Sequence, residues 1–363
     1  MQNGIRLTND PDRIVVIGDV HGDFGLLLLL LKDCAKVIDS KGKWLPNNST
    51  YVMLLGDTLD RQRPGLDSVG EVMGEELFIH LFLNNLQRQS RTQGGRMIKL
   101  LGNHEEMNLM GDYTFATPMG QALRKLLPLR PGSAFSRLVY TKQDTYAFAQ
   151  LGPYFFIHGG LGGLTKRDIM RLPLCNRAAK LWFREGNRHN NSLKVVTNML
   201  WDRDYTLGKH CNRNSLHHTF MMIGQMSGVV PSTVFSGHSV TWENVAPDSR
   251  PFDRVLSREP TTTIFGLSQT RSNLKKMGIN FSCDGRVGRM DNGASRGMGS
   301  DSFASRLPQV LVIERDPGRR KGFDRFLVVR HNTGLLHQRY KCLHPSMNVP
   351  AIANILREEL RLS

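Results

Sequence analysis

Five short stretches of the chain concentrate side chains that bind cations or move protons: Asp19-Val-His21, Asp57-Thr-Leu-Asp60-Arg61, Asn103-His104-Glu105, His158 and His238. Carboxylates, neutral imidazoles and an amide oxygen suit hard or borderline divalent cations, so the set is a candidate metal centre. A single Asp-x-His arises by chance in many sequences, and a solitary His158 would read as a structural histidine. Their shared context argues otherwise. Each stretch follows at once on a short apolar run: Arg13-Ile-Val-Val-Ile-Gly18, Tyr51-Val-Met-Leu-Leu-Gly56, Arg96-Met-Ile-Lys-Leu-Leu-Gly102, Tyr154-Phe-Phe-Ile157 and Thr233-Val-Phe-Ser236. Such runs read as buried strands ending in polar loops, and they would gather the polar groups at one edge of a sheet.

Helical segments at Phe24 to Ile38 and Val69 to Gln89 separate the early runs. The resulting β-α-β-α-β start predicts an α/β fold with a largely parallel inner sheet, whose ligands sit at the strands' C-terminal ends. Strands return at Ile279 to Cys283, Val287 to Met290, Gln309 to Glu314 and Phe326 to Arg330, and predict a second, more antiparallel sheet packed on the first. The basic stretch Arg315 to Arg325 contains Pro-Gly and reads as a hairpin turn between two of them. Glu105 to Thr145 and Thr165 to Val230 read as helical and loop-rich. No linker divides the chain, so one domain is expected over 1–340, with a helical lid around 105–230 and an unplaced insertion at 239–277. A helical tail follows at 341–363, with apolar Ile352, Ile355, Leu356 and Leu360 at helical spacing.

Bulk properties narrow the setting. The chain has 48 Lys+Arg against 32 Asp+Glu, a formal charge of +16 that favours anionic substrates. The 5 cysteines form no C-x-x-C pair, which predicts reduced thiols rather than a disulfide framework. The N-terminus lacks an apolar signal region, and Leu26 to Leu31 is far short of the roughly 20 residues that span a bilayer. A cytoplasmic, soluble protein without membrane contact is the expectation.

Taken in order, Gly18-Asp19-Val-His21-Gly22, Gly56-Asp57-Thr-Leu-Asp60-Arg61, Gly102-Asn103-His104-Glu105, His158-Gly-Gly160 and Gly237-His238 resemble the signature of the phosphoprotein phosphatase family of metallophosphoesterases. Within it, Gly102-Asn-His-Glu-Glu-Met-Asn-Leu-Met-Gly-Asp112 and Met290-Asp-Asn-Gly-Ala-Ser295 resemble the bacterial-type Shewanella-like branch. The resemblance implies a calcineurin-like β-sandwich of two mixed sheets flanked by helices. It also implies two divalent cations, manganese first, with iron or zinc as other candidates. Asp19 and His21 would hold the first, Asp57 would bridge both, and Asn103, His158 and His238 would hold the second. Such a pair, about 3.5–4 Å apart, activates water and clamps a phosphoryl group. His104 would be the general acid oriented by Asp60. Arg61, Asn103 and Arg203, the last in Trp201-Asp202-Arg203, would contact the phosphate.

The implied activity is hydrolysis of phosphomonoesters of phosphorylated proteins, on serine, threonine or tyrosine. An alternative is hydrolysis of phosphoanhydrides in nucleotides, dinucleoside polyphosphates or RNA ends, for which Trp182, Trp201 and Trp242 could stack a base. A silent phospho-binding module would have lost a ligand or the acid, and every position is filled. Two departures stand out: Gln62 occupies the place of the family's usual glycine, and 239–277 matches no family element. Glu105 and Glu106 read as solvated or structural. His210-Cys211 with His217-His218 has no common zinc spacing and reads as a polar loop.

Overall fold

The computed structural model of the protein describes residues 4–7, 11–45, 49–62, 74–140, 144–186, 191–205, 213–238, 250–251, 279–291, 295, 308–314 and 325–330. Most of the 239–277 insertion and all of the 341–363 tail fall outside them.

The expected α/β start is present. Strand β1 (Arg13–Ile17) leads to helix α1 (Phe24–Leu29), strand β2 (Thr50–Leu54), helix α2 (Glu75–Thr92) and strand β3 (Arg96–Leu100). Asp23 caps α1 by accepting from the Leu26 N–H. The leucine run then widens into a π-helical turn over Leu30–Cys34, closed by Ala35 N–H to Leu30 O at 2.8 Å. Leu26 to Leu31 are all buried, so the run is a core helix packed on the sheet.

Helices α3 (Asn103–Leu109), α4 (Pro118–Leu126) and α5 (Ala134–Val139) follow, then strands β4 (Thr145–Tyr146), β5 (Phe148–Leu151) and β6 (Tyr154–Ile157). Helices α6 (Lys166–Ile169), α7 (Leu172–Glu185), α8 (Asn191–Trp201) and α9 (Arg213–Ser227) precede β7 (Thr233–Ser236). The later described elements are β8 (Arg250–Pro251), β9 (Asn280–Ser282), β10 (Val287–Arg289), β11 (Gln309–Glu314) and β12 (Arg325–Arg330).

Among the described residues these strands form two mixed six-stranded sheets, ordered β12-β11-β1-β2-β3-β4 and β5-β6-β7-β10-β9-β8. Strands β1 to β4 run parallel, as do β6, β7 and β10, and antiparallel strands complete each sheet. The two-residue period of a strand explains the layers. Ile14 and Val16 face inward with Met53 and Ile98, against Ala149, Phe156, Phe235 and Phe281 of the other sheet. Val15 and Ile17 face outward beneath α1 and α2. The outer face of the second sheet is covered by α5 and α7 to α9.

The sequence reading misassigned two features. The late strands do not form a sheet of their own: β11 and β12 extend the first sheet, whereas β9 and β10 join β7. Nor do the motif-bearing strands share one sheet, because β6 and β7 belong to the second. Uninterrupted apolar runs such as Tyr154-Phe-Phe-Ile157 declare burial on both faces but not which sheet they enter. Strands β11 and β12 are antiparallel neighbours, and the basic stretch between them, up to residue 324, lies outside the described residues. Cys34 and Cys175 are buried free thiols, but Cys283 is disulfide-bonded, against the expectation of wholly reduced cysteines. No helix among the described residues is long and apolar enough to cross a membrane.

Candidate metal centre

The parallel strands of both sheets deliver their C-terminal loops to one place. Asp19 and His21 follow β1, Asp57 and Asp60 follow β2, and Asn103 and His104 open α3 after β3. His158 follows β6 and His238 follows β7. All eight are buried.

Asp57 lies at the junction. Ligand atoms of His21, Asp57 and His104 lie within 4.8 Å of one another, and so do those of Asp57, His158 and His238. His21 Nε2 is 3.9 Å from Asp19 Oδ2 and 3.8 Å from Asp57 Oδ2. His158 Nε2 is 3.4 Å from Asp57 Oδ1 and 2.9 Å from Asn103 Oδ1. The other ring nitrogens meet backbone carbonyls. His21 Nδ1 faces Leu59 O at 3.3 Å, and His158 Nδ1 faces Leu55 O at 2.9 Å. Donation from Nδ1 to those carbonyls leaves each Nε2 directed at Asp57, the arrangement that orients histidine toward a cation.

Holding these groups together strains the backbone. His21, Asp57, Asp60 and His238 adopt φ of 40°, 46°, 63° and 66°, in the left-handed region that side chains avoid. Buried carboxylates compensate. Glu105 accepts from Asp57 N (3.0 Å), Gly102 N (2.7 Å), Thr58 N (2.8 Å) and Thr58 Oγ1 (2.6 Å). Glu76 accepts from Asp60 N at 2.7 Å, and Glu75 from Phe24 N at 3.0 Å and Arg61 Nη1 at 2.7 Å. Two glycines are required by close approach: a Cβ on Gly102 would overlap Asp57 Oδ1, and one on Gly237 would overlap Asp19 Oδ1.

The electrostatics call for positive charge. Burial, with Asp291 and Asp57 nearby, pushes the Asp19 carboxyl well above its usual range. Its Oδ1 is buried without a hydrogen-bond partner. Burial also acts to raise Asp57, but His158, His104 and His21 outweigh it and hold Asp57 well below the usual range. His238 is pushed well down by burial, His158 and Arg203. Buried carboxylates with an orphaned oxygen, facing imidazoles already oriented by carbonyls, fit divalent cations.

His104 Nδ1 is 2.9 Å from Asp60 Oδ2, and its ring lies edge-on to His21 and Phe115, each at 5.0 Å. Gln62, in the place of the family glycine, donates its N–H to Phe115 O at 3.0 Å. The two arginines differ. Arg61 is 1% exposed in its pair with Glu75, whereas Arg203 is exposed and donates from Nε to His238 Nε2 at 3.0 Å. Trp201 beside it is 43% exposed, 6.1 Å from the His238 ring, and anchored by its indole N–H to Glu106 Oε2 at 2.7 Å.

Glu105 and Glu106 are therefore buried hydrogen-bond hubs, not solvated groups; each is spent on backbone or side-chain donors. His217 and His218 are exposed on α9 and join no candidate metal group among the described residues. Sequence reasoning missed Glu75, Glu76, Asn108, Arg124 and Asp291. Asn108 and Asp291 lay inside quoted motifs, and Ser295 of the second motif donates to His21 O at 3.3 Å. The others carried no local signal.

Residues 12–241 match the family model described as calcineurin-like phosphoesterase. The chain is 25% identical over 362 residues to Shewanella-like protein phosphatase 2 of Arabidopsis thaliana, covering 85% of this chain and 77% of that one. It is 33% identical over 106 residues to Shewanella-like protein phosphatase 1 of Plasmodium berghei, covering 29% and 26%. A crystal structure of a cold-active protein-tyrosine phosphatase from a psychrophilic Shewanella superposes with a TM-score of 0.53 at 20% identity, covering 87% of this chain and 80% of that one.

Proposed function

The chain belongs to the calcineurin-like phosphoesterase family, and on that premise we propose that it hydrolyses phosphomonoesters of phosphorylated proteins at a two-cation centre built around Asp57. The observation that carries this reading is the sharing of Asp57 by two ligand groups, His21-Asp57-His104 and Asp57-His158-His238. Asp19 and His21 would hold one cation with Asp57, and Asn103, His158 and His238 would hold the other. Bound there, divalent cations neutralise the carboxylates, acidify water and polarise the phosphoryl oxygens.

The chain's own residues do the rest. Asp60 accepts from His104 Nδ1, which keeps the imidazole oriented with Nε2 free to deliver a proton to the leaving oxygen. Arg203, exposed at the rim, takes phosphate oxygens in a bidentate grip. Arg61 is assigned to the loop that carries Asp57 and Asp60, since its guanidinium is buried against Glu75. The protein-directed reading draws support from the Arabidopsis relative, whose name is that of a protein phosphatase, and from the structural neighbour described as a protein-tyrosine phosphatase.

A second reading, cleavage of nucleotide or RNA-end phosphoanhydrides, draws on Trp201, an exposed aromatic ring beside His238 able to stack a base. One experiment separates the two. With manganese present, phosphoserine, phosphothreonine and phosphotyrosine peptides are compared with a diadenosine polyphosphate and capped RNA. Efficient turnover of the peptides is expected, and turnover confined to the nucleotide substrates would overturn the protein-directed reading.

A further inference from the structure

Arg124 lies outside every motif, on α4, a nine-residue helix whose neighbouring Gln121, Lys125 and Leu126 are exposed. Its own side chain is 1% exposed, because it turns inward to the carboxylate that partners His104. All three of its nitrogens are engaged. Nη2 lies 3.4 Å from Asp60 Oδ1, Nη1 pairs with Glu76 Oε2, and Nε donates to Asn108 Oδ1 at 2.8 Å. The guanidinium also lies over the Phe135 ring, 5.7 Å from its centroid.

The three side-chain polar contacts all lead to Asp60. Glu76 uses its other oxygen to accept the Asp60 N–H at 2.7 Å, which secures the left-handed backbone there. Asn108 donates from Nδ2 to Asp60 Oδ2 at 2.7 Å and to His104 O at 2.9 Å. Arg124 fixes the direction of that amide, since a guanidinium can only donate and so must meet the amide oxygen. Asp60 is thus held on its backbone nitrogen and both carboxylate oxygens, leaving Oδ2 aimed at His104 Nδ1. Burial acts to lower the Arg124 pKa, but Glu76 and Asp60 more than offset it, so the cation persists.

We propose that Arg124 is a positioning residue for His104: from α4 it holds Asp60 in the orientation the acid requires, directly and through Glu76 and Asn108. Docking of α4 is then coupled to proton delivery, although α4 contributes nothing to the candidate ligand groups. A merely structural arginine would not need to reach the same residue by three routes, two on its carboxylate and one on its backbone N–H.

The proposal rests on the reading of His104 as proton donor, and the test separates the two. Wild type, His104→Asn, Arg124→Met, Arg124→Lys and Asn108→Ala are assayed with manganese on para-nitrophenyl phosphate, whose leaving group needs little protonation, and on phenyl phosphate, whose leaving group needs more. General acids contribute 10²–10⁴-fold, so Arg124→Met should lower kcat on phenyl phosphate by roughly 100-fold and on para-nitrophenyl phosphate by only a few-fold. KM and bound manganese should stay near wild type, and Arg124→Lys should recover part of the loss. Asn108→Ala should shift the same ratio in the same direction, less strongly, and decides the matter if Arg124→Met does not fold. Equal losses on both substrates in Arg124→Met and Asn108→Ala, with His104→Asn still selective, would overturn the role of Arg124. Equal losses in His104→Asn would overturn the acid itself.

Discussion

The two sheets support the centre by different means. On the first-sheet side, the loops after β1, β2 and β3 are pinned by Glu75, Glu76 and Glu105, which are buried and accept backbone or guanidinium protons. On the second-sheet side the supports are mixed, backbone carbonyls together with aspartates. His158 faces Leu55 O, Gly160 N–H donates to Met199 O at 3.0 Å, and His238 N–H donates to Asp19 Oδ2 at 3.0 Å. One half-buried carboxylate, Asp202, accepts from the N–H groups of Gly162, Gly163 and Asp204. The difference tracks what each side carries. The first side holds three strained non-glycine residues and the acid assembly, whereas the second holds one, His238. Strain is sustained where several buried acceptors over-determine the backbone.

The largest effect should come from the residue both sides share. Asp57→Asn removes the common charge between the two ligand groups. Turnover should fall by at least about 10³-fold, in line with losses of several kcal/mol of charge stabilisation at such centres. Manganese content measured after dialysis should fall from two ions per chain towards none. Retention of one tightly held ion would mean that the two sides are built independently and that the junction is not shared.

A paired substitution sharpens the contrast between the supports. Glu105→Gln replaces one of two accepting oxygens with a donor that confronts backbone N–H groups, either of Asp57 and Gly102 or of Thr58. It should destabilise the protein by roughly 2–4 kcal/mol in urea unfolding, as expected when buried donors lose a charged acceptor. Asp202→Asn, half-buried and reachable by water, should cost about 1 kcal/mol. Equal costs would remove the distinction between a buried glutamate frame on one side and a mixed, more exposed frame on the other.

That contrast also explains what could be read from the sequence. The apolar runs and the polar groups after them were legible because strand, glycine and ligand are contiguous, and glycine is required there for a spatial reason: Gly102 abuts Asp57 and Gly237 abuts Asp19. The burial of Ile14, Val15, Val16 and Ile17 was legible as an uninterrupted apolar run, but their division between the two cores was not. The ionic frame was not. Glu75 and Glu76 look like ordinary first-turn acids of a helix, and Arg124 looks like one more cation on an exposed helix. Their function arises only when residues 16 to 64 positions apart meet. Sheet membership was hidden too, because β11 returns to β1 across nearly the whole chain, and burial alone does not encode that pairing.

Lys99 carries the same lesson at the smallest expected cost to turnover. It reads as a stray charge within an apolar strand, yet its Nζ is buried and donates to Asn84 Oδ1 at 2.6 Å and Val139 O at 3.2 Å. Burial lowers its pKa to about 7, with Glu105 opposing, against 10.5 for the free side chain. Between those two values the unfolded chain binds a proton that the folded chain does not, so stability rises with pH across that window. Below about pH 7 the folded protein must bury the charged ammonium, and the penalty is fully present. Lys99→Met should therefore flatten the rise in melting temperature between pH 6 and pH 9, a difference of roughly a few degrees for a chain of this size. Lys99 touches none of the candidate ligands, so kcat should stay within about twofold of wild type, where a catalytic base or acid would be worth 10²-fold or more. An unchanged pH slope in the variant would mean that Lys99 stays charged in the folded protein. A second buried cation, besides Arg124, would then stand behind the first sheet, and the two sides of the centre would differ more sharply still.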